Sequence, residues 1–159
     1  METMNYWLLK SEPSSYSIDD LKRDTKINKS TAWEGVRNYQ ARNYMQQMQV
    51  GDLALFYHSG SDDKGVFGIA KVVAAAYPDE SQFGKGDYHF DPKSTREKPI
   101  WYCVDVAFVK KFKSPVLLGA IKSDSELSGI MVAARGSRLS VQPVGEKHFE
   151  HIASKGDRT

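Results

Sequence analysis

The segment from Trp33 to Asn43 carries the side chains that could do the most chemistry in this chain. Its eleven residues include two aromatics, two arginines, two asparagines and a glutamine. A core helix or strand would not bury so many polar groups, because each of them needs a hydrogen-bond partner away from water. The mixture suits a pocket for a flat, hydrogen-bonding ligand beside negative charge, such as a nucleobase with its phosphates.

Trp33 has two interpretations that the sequence leaves open. A tryptophan most often packs in a core and donates its indole N–H to a carbonyl oxygen. The polar residues directly after it favour a second role, because Arg37, Asn38 and Gln40 are hard to bury together without a ligand. We therefore expect Trp33 either to fill a small core or to form the wall of a binding pocket.

Lys10, Ser11 and Glu12 follow a short apolar run and could form a small catalytic set. A lysine beside a hydroxyl and a carboxylate would suit an amidohydrolase acting on a modified nucleoside. The residues themselves favour a simpler interpretation, in which Ser11 and Glu12 bond to backbone at a strand end and Lys10 points to solvent. The sequence contains no G-x-S-x-G elbow, no phosphate-binding P-loop and no G-x-G-x-x-G motif, so we expect a non-catalytic protein.

Two other places carry polar groups at predicted strand ends or turns. His58 ends a predicted strand beside Tyr57, and its spacing favours a half-exposed histidine bonded to backbone. Arg135 and Arg138 stand on either side of a glycine and a serine. They could hold a phosphate through guanidinium forks and backbone N–H groups, or they could belong to a solvated hairpin turn.

The bulk composition excludes several classes of protein. The chain of 159 residues has a net charge of +2 and a pI of about 8.5, unlike a polycation that binds with its whole surface. The single Cys103 cannot form an internal disulfide or a thiolate metal site, and the four histidines lack zinc-ligand spacing. No signal peptide is visible, and no stretch approaches the roughly 20 apolar residues of a membrane helix. We expect a soluble, intracellular protein without a metal, a cofactor or a membrane partner.

Apolar periodicity and turn residues predict five or six strands interleaved with short helices. The predicted strands are residues 6–9, 53–57, 66–76, 101–110 and 138–144, and the predicted helices are residues 18–23, 39–48 and 146–152. Ser17 and Asn38 are expected to cap the first two helices, and residues 154–159 to form a frayed tail. Residues 78–99 form a long irregular loop, which is usually functional or mobile. The pattern indicates a mixed, mainly antiparallel sheet, either open or curled into a barrel.

Six segments, in this order along the chain, resemble the EVE domain family: residues 6–13, 33–43, 51–59, 91–94, 101–106 and 139–144. They extend from Tyr6 to about Ile152. We therefore expect one EVE domain over residues 1–159, with its core at about residues 5–152. The resemblance implies a PUA-like α+β fold, in which a mixed, curled β-barrel of about five or six strands is flanked by short helices.

The resemblance also implies a function. The EVE family is associated with binding modified bases in DNA, chiefly 5-methylcytosine and its oxidised forms. PUA-like relatives include the YTH readers of methylated adenine in RNA. We therefore expect a non-catalytic nucleic-acid reader that flips a modified base into an aromatic pocket. DNA is favoured over RNA as the partner; an RNA module and the small nucleoside amidohydrolase are the alternatives. Neither composition nor motif points to an oligomeric state.

Carried over to this sequence, the resemblance places a pocket around Trp33 as the stacking wall. The other expected ligand-binding residues are Lys10, Ser11, Glu12, Val36, Asn38, Tyr39, Gln40, Tyr57, His58 and Ser59. The expected phosphate-binding residues are Arg37, Arg42, Arg135 and Arg138. Lys10 to Glu12 would line one side of the pocket and Asn38 to Gln40 the opposite side.

Some features depart from the family pattern. Glu34 stands where the family usually has Asp, and residues 82–87 and 133–137 are less typical, so ligand preference would differ if those loops flank the pocket. A eukaryotic member has a long basic N-terminal extension that this sequence lacks. We therefore expect a bacterial, cytoplasmic protein, and a nuclear one if the source is eukaryotic.

Overall fold

The computed structural model describes residues 4–60 and 62–157, and within them it has six strands and four α-helices. The strands are β1 (Tyr6–Ser11), β2 (Thr31–Ala32), β3 (Leu53–His58), β4 (Gly65–Pro78), β5 (Tyr102–Leu117) and β6 (Val141–Val144). The helices are α1 (Ile18–Asn28), α2 (Tyr39–Gln47), α3 (Leu118–Ser123) and α4 (Glu146–Gly156). Short 3-10 helices cover Glu80–Gln82, Ser125–Leu127 and Met131–Ala133. Ser61 of the predicted turn and the last two residues of the predicted tail lie outside the described residues.

All six strands form one mixed sheet in the order β2-β5-β4-β3-β1-β6. β1 runs parallel to β3, and every other neighbouring pair is antiparallel. In the part of the chain described, β2 and β6 do not pair with each other, so the sheet is not closed. α2 contacts both β5 and β6 and therefore spans the open side. This arrangement confirms the predicted α+β fold, with strands flanked by short helices.

The sheet is bent where its two longest strands pair. β4 and β5 shift register at four places, and such bulges bend a strand and increase its twist. Gly68 lies in this region with its Cα directly against β5, where an added Cβ would collide with the carbonyl oxygen of Lys110. Glycine is therefore needed for close approach of the two backbones.

Apolar side chains form one core on each face of the sheet. Because side chains alternate along a strand, Trp7 and Leu9 of β1 enter the first core and Leu8 enters the second. α1 and α2 cover the first core, and α3 and α4 cover the second. The parallel pair β1 and β3 is thus buried on both faces, as parallel strands usually are. No helix in the two described stretches is long and apolar enough to cross a membrane.

The helix starts agree with the sequence, whereas some ends differ. Ser17 and Asp20 form a reciprocal capping box at α1, and Asn38 caps α2. α1 extends to Asn28, beyond the predicted end at residue 23, although its last two turns are largely exposed. α4 extends to Gly156, so residues 154–156 are helical and not a frayed tail. Apolar periodicity did not predict either extension. Only one side of each final turn packs against the rest of the protein, so the apolar pattern there is weak.

Candidate functional site

A cleft of about 570 Å³ opens where the end of β1 meets the segment before α2. Five predicted site residues line it: Lys10, Ser11, Trp33, Val36 and Arg37. The volume lies in the range of roughly 300–1,000 Å³ that holds small ligands. The sequence prediction thus identified part of one cavity, although most of the predicted residues lie elsewhere.

Trp33 belongs to both the core and the cleft. Trp33 is only 9% exposed, and its ring packs edge-on against Phe56 and Tyr16, at centroid distances of 5.5 and 6.1 Å. Its backbone N–H donates to the carbonyl of Val104 at 2.8 Å. The two interpretations of Trp33 therefore hold together, and only a limited part of the ring faces the cleft.

A buried carboxylate shapes the turn after Trp33. Asp79 is fully buried and accepts hydrogen bonds from the backbone N–H of Gly35 at 2.8 Å and of Ser81 at 2.9 Å. Burial acts to raise the pKa of Asp79, but the bonds from Ser81, Gly35 and Arg37 outweigh it and hold the pKa below its usual value. Gly35 has a φ of +85°, and a Cβ there would lie 2.7 Å from the His89 ring. This position therefore requires glycine.

Arg37 was predicted to bind phosphate, but its guanidinium makes hydrogen bonds inside the protein. Its Nε and one Nη2 hydrogen donate to the carbonyl of His89 at 3.1 and 2.9 Å. The remaining bonds reach the carbonyl of Val36, the Asp79 carboxylate and the Ser81 hydroxyl, at 3.0, 3.2 and 2.9 Å. An arginine has five N–H groups, so none is left for a phosphate. Arg37 instead fastens the loop that contains His89 to the wall of the cleft.

Lys10 and Glu34 give the cleft one ammonium and one carboxyl group. The Nζ of Lys10 donates to the carbonyl of Ser137 at 3.2 Å and lies 5.6 Å from the centre of the Tyr57 ring. Burial lowers the pKa of the Lys10 ammonium. Burial, with the negative charges of Asp79 and Asp87, raises the pKa of the Glu34 carboxyl. A ligand in the cleft can therefore meet one ammonium donor and one carboxyl group.

Ser11 and Glu12 do not form a catalytic set with Lys10. The Ser11 hydroxyl donates to the carbonyl of Tyr16 at 2.7 Å. Glu12 is exposed beside Gly60, where an added Cβ would lie 3.0 Å from its side chain, and it is absent from the cleft lining. Among the described residues, the three side chains make no hydrogen bonds to one another. Ser11 therefore lacks the adjacent base that an activated nucleophile needs.

Asn38, Tyr39 and Gln40 lie outside the cleft, contrary to the prediction. The side-chain Oδ1 of Asn38 accepts the N–H of Ala41 at 2.9 Å and caps α2. The Gln40 amide donates to the Tyr44 hydroxyl at 3.4 Å. The Asn38 cap determines where α2 starts. The side chains of its first turn then lie away from the cavity.

Tyr39 and Arg42 belong to a stack of alternating rings and cations on that outer surface. Tyr39 lies on Trp101 with centroids 4.9 Å apart. The guanidiniums of Arg42 and Arg37 lie over Tyr39 and Trp101, at 4.9 and 5.4 Å. Arg42 also donates to the carbonyl of Ile100 at 3.0 Å. These contacts attach α2 to the chain before β5 and give Arg42 a structural role, while its predicted phosphate-binding role stays a prediction.

The predicted ligand-binding residues Tyr57, His58 and Ser59, at the end of β3, do not share one cavity. Tyr57 and Ser59 line a second, larger cavity of about 1,030 Å³, to which Lys10 also contributes. His58 points the opposite way, where its Nε2 accepts the N–H of Ile18 at 3.1 Å and its ring stacks on Phe67 at 4.1 Å. Burial lowers the pKa of His58. His58 is therefore a core histidine, because successive residues of a strand face opposite sides.

The second cavity is basic. Its lining includes Lys10, Lys64, Lys122 and Arg135. Its acidic residue, Asp124, is paired with Lys155 at 2.8 Å and His151 at 2.7 Å. Those two partners hold the pKa of Asp124 well below its usual range. Arg138 is exposed on the same loop as Arg135 but does not line this cavity.

One group of side chains near this cavity has the donor types of a metal site. Asp124, Glu126 and His151 bring one ligand atom each within 4.8 Å of one another. The ammonium of Lys155 already lies 2.8 Å from Asp124. Because a cation occupies this position in the protein itself, we assign the group to an ion-pair network between α4 and the chain after α3.

The structure adds cleft residues that were not predicted, among them Tyr16, Glu34, His89 and Ser140. Glu34 lies inside the segment that the sequence singled out, and its charge next to Trp33 was an available signal. His89 and Ser140 come from distant loops and carry no such signal. The Tyr16 hydroxyl donates to Asp24 at 2.8 Å, and burial together with that bond raises its pKa to about 12.

Comparison with known proteins gives close matches over almost the whole chain. The model of the EVE domain matches residues 5–155. Chicken (Gallus gallus) thymocyte nuclear protein 1 is 42% identical over 169 residues, covering 96% of this chain and 69% of that protein. The crystal structure of human THYN1 in complex with 5-methylcytosine-containing DNA superposes with a TM-score of 0.89 at 38% identity, covering 98% of this chain and 99% of that one.

A more distant structure shares the fold alone. The YTH domain of Zygosaccharomyces rouxii MRB1, in complex with N6-methyladenosine RNA, gives a TM-score of 0.56 at 13% identity. The match covers 99% of this chain and 90% of that one. The open mixed sheet therefore occurs both in a DNA complex and in an RNA complex.

Proposed function

The chain belongs to the EVE domain family, and from this premise we propose that it is a non-catalytic reader of a modified base in DNA. The ligand is 5-methylcytosine or an oxidised derivative, flipped out of the duplex into the cleft beside Trp33. The main support is the cleft itself, which joins an aromatic wall, small apolar side chains and a few polar groups in a volume of about 570 Å³. The human protein crystallised with 5-methylcytosine-containing DNA supports DNA as the partner.

The polar groups of the cleft match the edge of a cytosine. A glutamate can accept a hydrogen bond from the exocyclic N4 amino group, and Glu34 is the carboxyl group in the cleft. As a charged acceptor, Glu34 makes a stronger bond to this amino group than a neutral side chain would. Lys10 supplies a donor. Glu34 thus takes the reading role first expected of Glu12, Asn38 and Gln40.

Recognition of the methyl group should add modest selectivity. Val36 lines the cleft and gives the methyl group an apolar neighbour. Burying one such group contributes roughly 0.8 kcal/mol, which is about a fourfold preference. Stacking on Trp33 contributes roughly 1–3 kcal/mol to any base, modified or not. Affinity therefore comes mainly from stacking and phosphate contacts, and the methyl group adjusts it.

The basic second cavity suits the phosphates beside the flipped nucleotide. Lys10 lines both cavities, so a strand that leaves the cleft past Lys10 meets Lys64, Lys122 and Arg135. Arg138, exposed on the same loop, can contact the next phosphate. This assignment keeps the expected phosphate-binding role for Arg135 and Arg138. The role that was expected of Arg37 and Arg42 passes to the lysines of this cavity.

Substitution of Glu34 by Gln tests the proposal. Wild type should bind a duplex with one 5-methylcytosine several-fold more tightly than the unmodified duplex, measured by fluorescence anisotropy at a stated salt concentration. Glu34→Gln should bind the modified duplex roughly fivefold more weakly, since a bond to a charged group exceeds a neutral one by about 1 kcal/mol. Its non-specific binding should be unchanged or slightly stronger, because a negative charge has been removed.

The matched control is Glu150→Gln, which removes the same charge from an exposed position on α4. It should leave the preference for the modified duplex unchanged. Trp33→Phe is preferable to Trp33→Ala as a wall variant, because Trp33 is also a core residue and truncation costs about 3–5 kcal/mol of stability.

Equal binding of modified and unmodified DNA by the wild type would refute the proposal. A methyladenine or modified RNA competitor that displaces the duplex would instead favour an RNA module.

A further inference from the structure

Tyr88 is the most exposed large aromatic side chain in the described residues, and packing within the chain does not explain it. It is 95% exposed, whereas Tyr39 is 57% exposed and stacks on Trp101. The aromatic contact of Tyr88 is with the edge of His89, at a centroid distance of 5.1 Å and an angle of 88°. At 95% exposure, most of the Tyr88 ring is available to a partner.

The backbone around Tyr88 is held in place. The N–H of Asp87 donates to the carbonyl of Gly84 at 2.9 Å, and the N–H of His89 donates to the Asp87 carboxylate at 2.8 Å. The carbonyl of His89 accepts two N–H groups of Arg37. Because the main chain is anchored by these bonds, presenting the ring to a partner requires little further loss of backbone entropy.

Tyr88 stands at the rim of the cleft. His89 lines the cleft, and its ring lies against the backbone of Gly35. On the far side of His89, Tyr88 and Trp101 line a shallow depression of about 500 Å³. Gly35, Arg37 and His89 line both the cleft and this depression. The depression that Tyr88 lines therefore adjoins the cleft.

We propose that Tyr88 inserts into the base stack of the duplex and occupies the gap left by the flipped base. This inference rests on the proposed function, because it requires a base to leave the duplex for the cleft. An aromatic ring can stack on any base, since every base has a π face, and inserted side chains are a general means of opening a base step. Filling the gap offsets part of the lost stacking and slows return of the base.

The neighbours of Tyr88 in the loop suit this role. Lys85 is exposed in the same turn and can contact the phosphate next to the opened step. Gly84 and Gly86 flank Lys85, and an added Cβ at Gly86 would meet nothing within 4 Å, so the loop presents little bulk to a DNA backbone. The Asp87 carboxylate accepts the N–H of His89 at 2.8 Å, so part of its hydrogen-bonding capacity is used within the loop.

The test compares duplex with free nucleoside for Tyr88→Ala and Tyr88→Phe. Affinity is measured for a labelled duplex with one 5-methylcytosine and for free 5-methyl-2′-deoxycytidine, which has no stack to fill. Tyr88→Ala should bind the duplex roughly tenfold more weakly and the nucleoside as well as wild type does. Tyr88→Phe keeps the ring and should match wild type on both. A 2-aminopurine placed beside the modified base should brighten on binding wild type and Tyr88→Phe, and less on binding Tyr88→Ala.

Four results would overturn the proposal. If the wild type prefers the modified duplex and Tyr88→Ala binds that duplex as tightly as the wild type does, Tyr88 fills no gap. The proposed function would then remain intact. Equal losses on duplex and nucleoside would place Tyr88 in the base pocket and not in the stack. Loss of binding in Tyr88→Phe would assign the effect to the hydroxyl. Absence of any preference in wild type would remove both the proposed function and this inference.

Discussion

At the scale of single residues, several polar side chains that look ligand-facing in the sequence build the cleft without facing it. Arg37 gives all five N–H groups to the protein, and Asn38 caps a helix. Each has an intramolecular partner that a surface ligand would have to displace, and a buried donor or acceptor left alone costs about 1–3 kcal/mol. Some polar residues beside a binding site thus stabilise its walls, and others contact its ligand.

Substitution of Arg37 by Lys should destabilise the protein although the charge is kept. Lysine has three N–H donors on one nitrogen and cannot reproduce the planar fork that joins His89, Ser81 and Asp79. We expect the free energy of unfolding in urea to fall by about 2 kcal/mol.

The control for that variant is Arg23→Lys, in which the arginine pairs with Asp20 and Asp24 at the surface of α1. Exposed pairs contribute little, so its free energy of unfolding should change by less than about 0.5 kcal/mol. If Arg37→Lys were as stable as Arg23→Lys but bound DNA more weakly, Arg37 would be a phosphate ligand after all.

At the scale of elements, strand alternation and one long loop decide which side chains meet. β3 sends Tyr57 to the basic cavity and His58 to the core. The loop between β4 and β5 brings Asp79 and His89 to the wall of the cleft, more than 40 positions after Gly35 in the chain. The loop that the sequence marked as functional or mobile is therefore an anchored part of the site.

His58 should make the attachment of α1 to β3 sensitive to acid. In the folded protein the pKa of His58 lies below the ordinary value of about 6.5 that applies to the unfolded chain. At a pH between the folded and the unfolded pKa, the unfolded chain therefore binds a proton that the folded protein does not. The stabilising contribution of neutral His58 is complete above about pH 6.5 and is lost as the pH falls through the folded pKa. His58→Gln can still accept the N–H of Ile18, and it should weaken the pH dependence of urea unfolding between about pH 7.5 and pH 5.

The comparison for this variant is made at the two ends of the pH range. Near the upper end, wild type and His58→Gln should differ only by packing against Phe67. Near the lower end, the wild type should have lost more of its stability than the variant. Parallel losses in the two proteins would show that His58 is not the acid-sensitive group.

At the scale of the whole molecule, the curled sheet places two cavities side by side with Lys10 between them. One cavity is aromatic and polar, and the other is basic. The net charge of +2 does not show this arrangement, because acidic residues elsewhere offset the local excess of lysine and arginine. Local charge, and not total charge, determines where a polyanion binds.

Removal of one lysine from the basic cavity should reduce the salt dependence of DNA binding. The slope of log K against log salt is about −0.9 for each phosphate neutralised. Lys122→Ala should therefore make the slope shallower by about 0.9, with a similar effect on modified and unmodified duplexes. Lys71→Ala, on β4 outside both cavities, is the matched control and should leave the slope unchanged. Equal slopes for Lys122→Ala and wild type would place the phosphates elsewhere.

The sequence was most informative where structure depends on neighbours in the chain. The capping box at Ser17, the cap at Asn38 and the strand pattern follow from residues within one or two turns of each other. The same local reasoning failed at the ends of α1 and α4, which continue because each packs one side against the sheet. Local patterns do not contain that contact.

The sequence by itself determined the family, the α+β class and the segment around Trp33 that lines the cleft. Only the tertiary structure decided which members of that segment face the cavity. Hydrogen bonds from Arg37 to His89 and from Gly35 to Asp79 join residues that are distant in the chain, and they turn some polar groups inward while leaving Glu34 exposed to the cleft. The orientation of a side chain depends on the partner that satisfies it, and that partner is known only once the chain has folded.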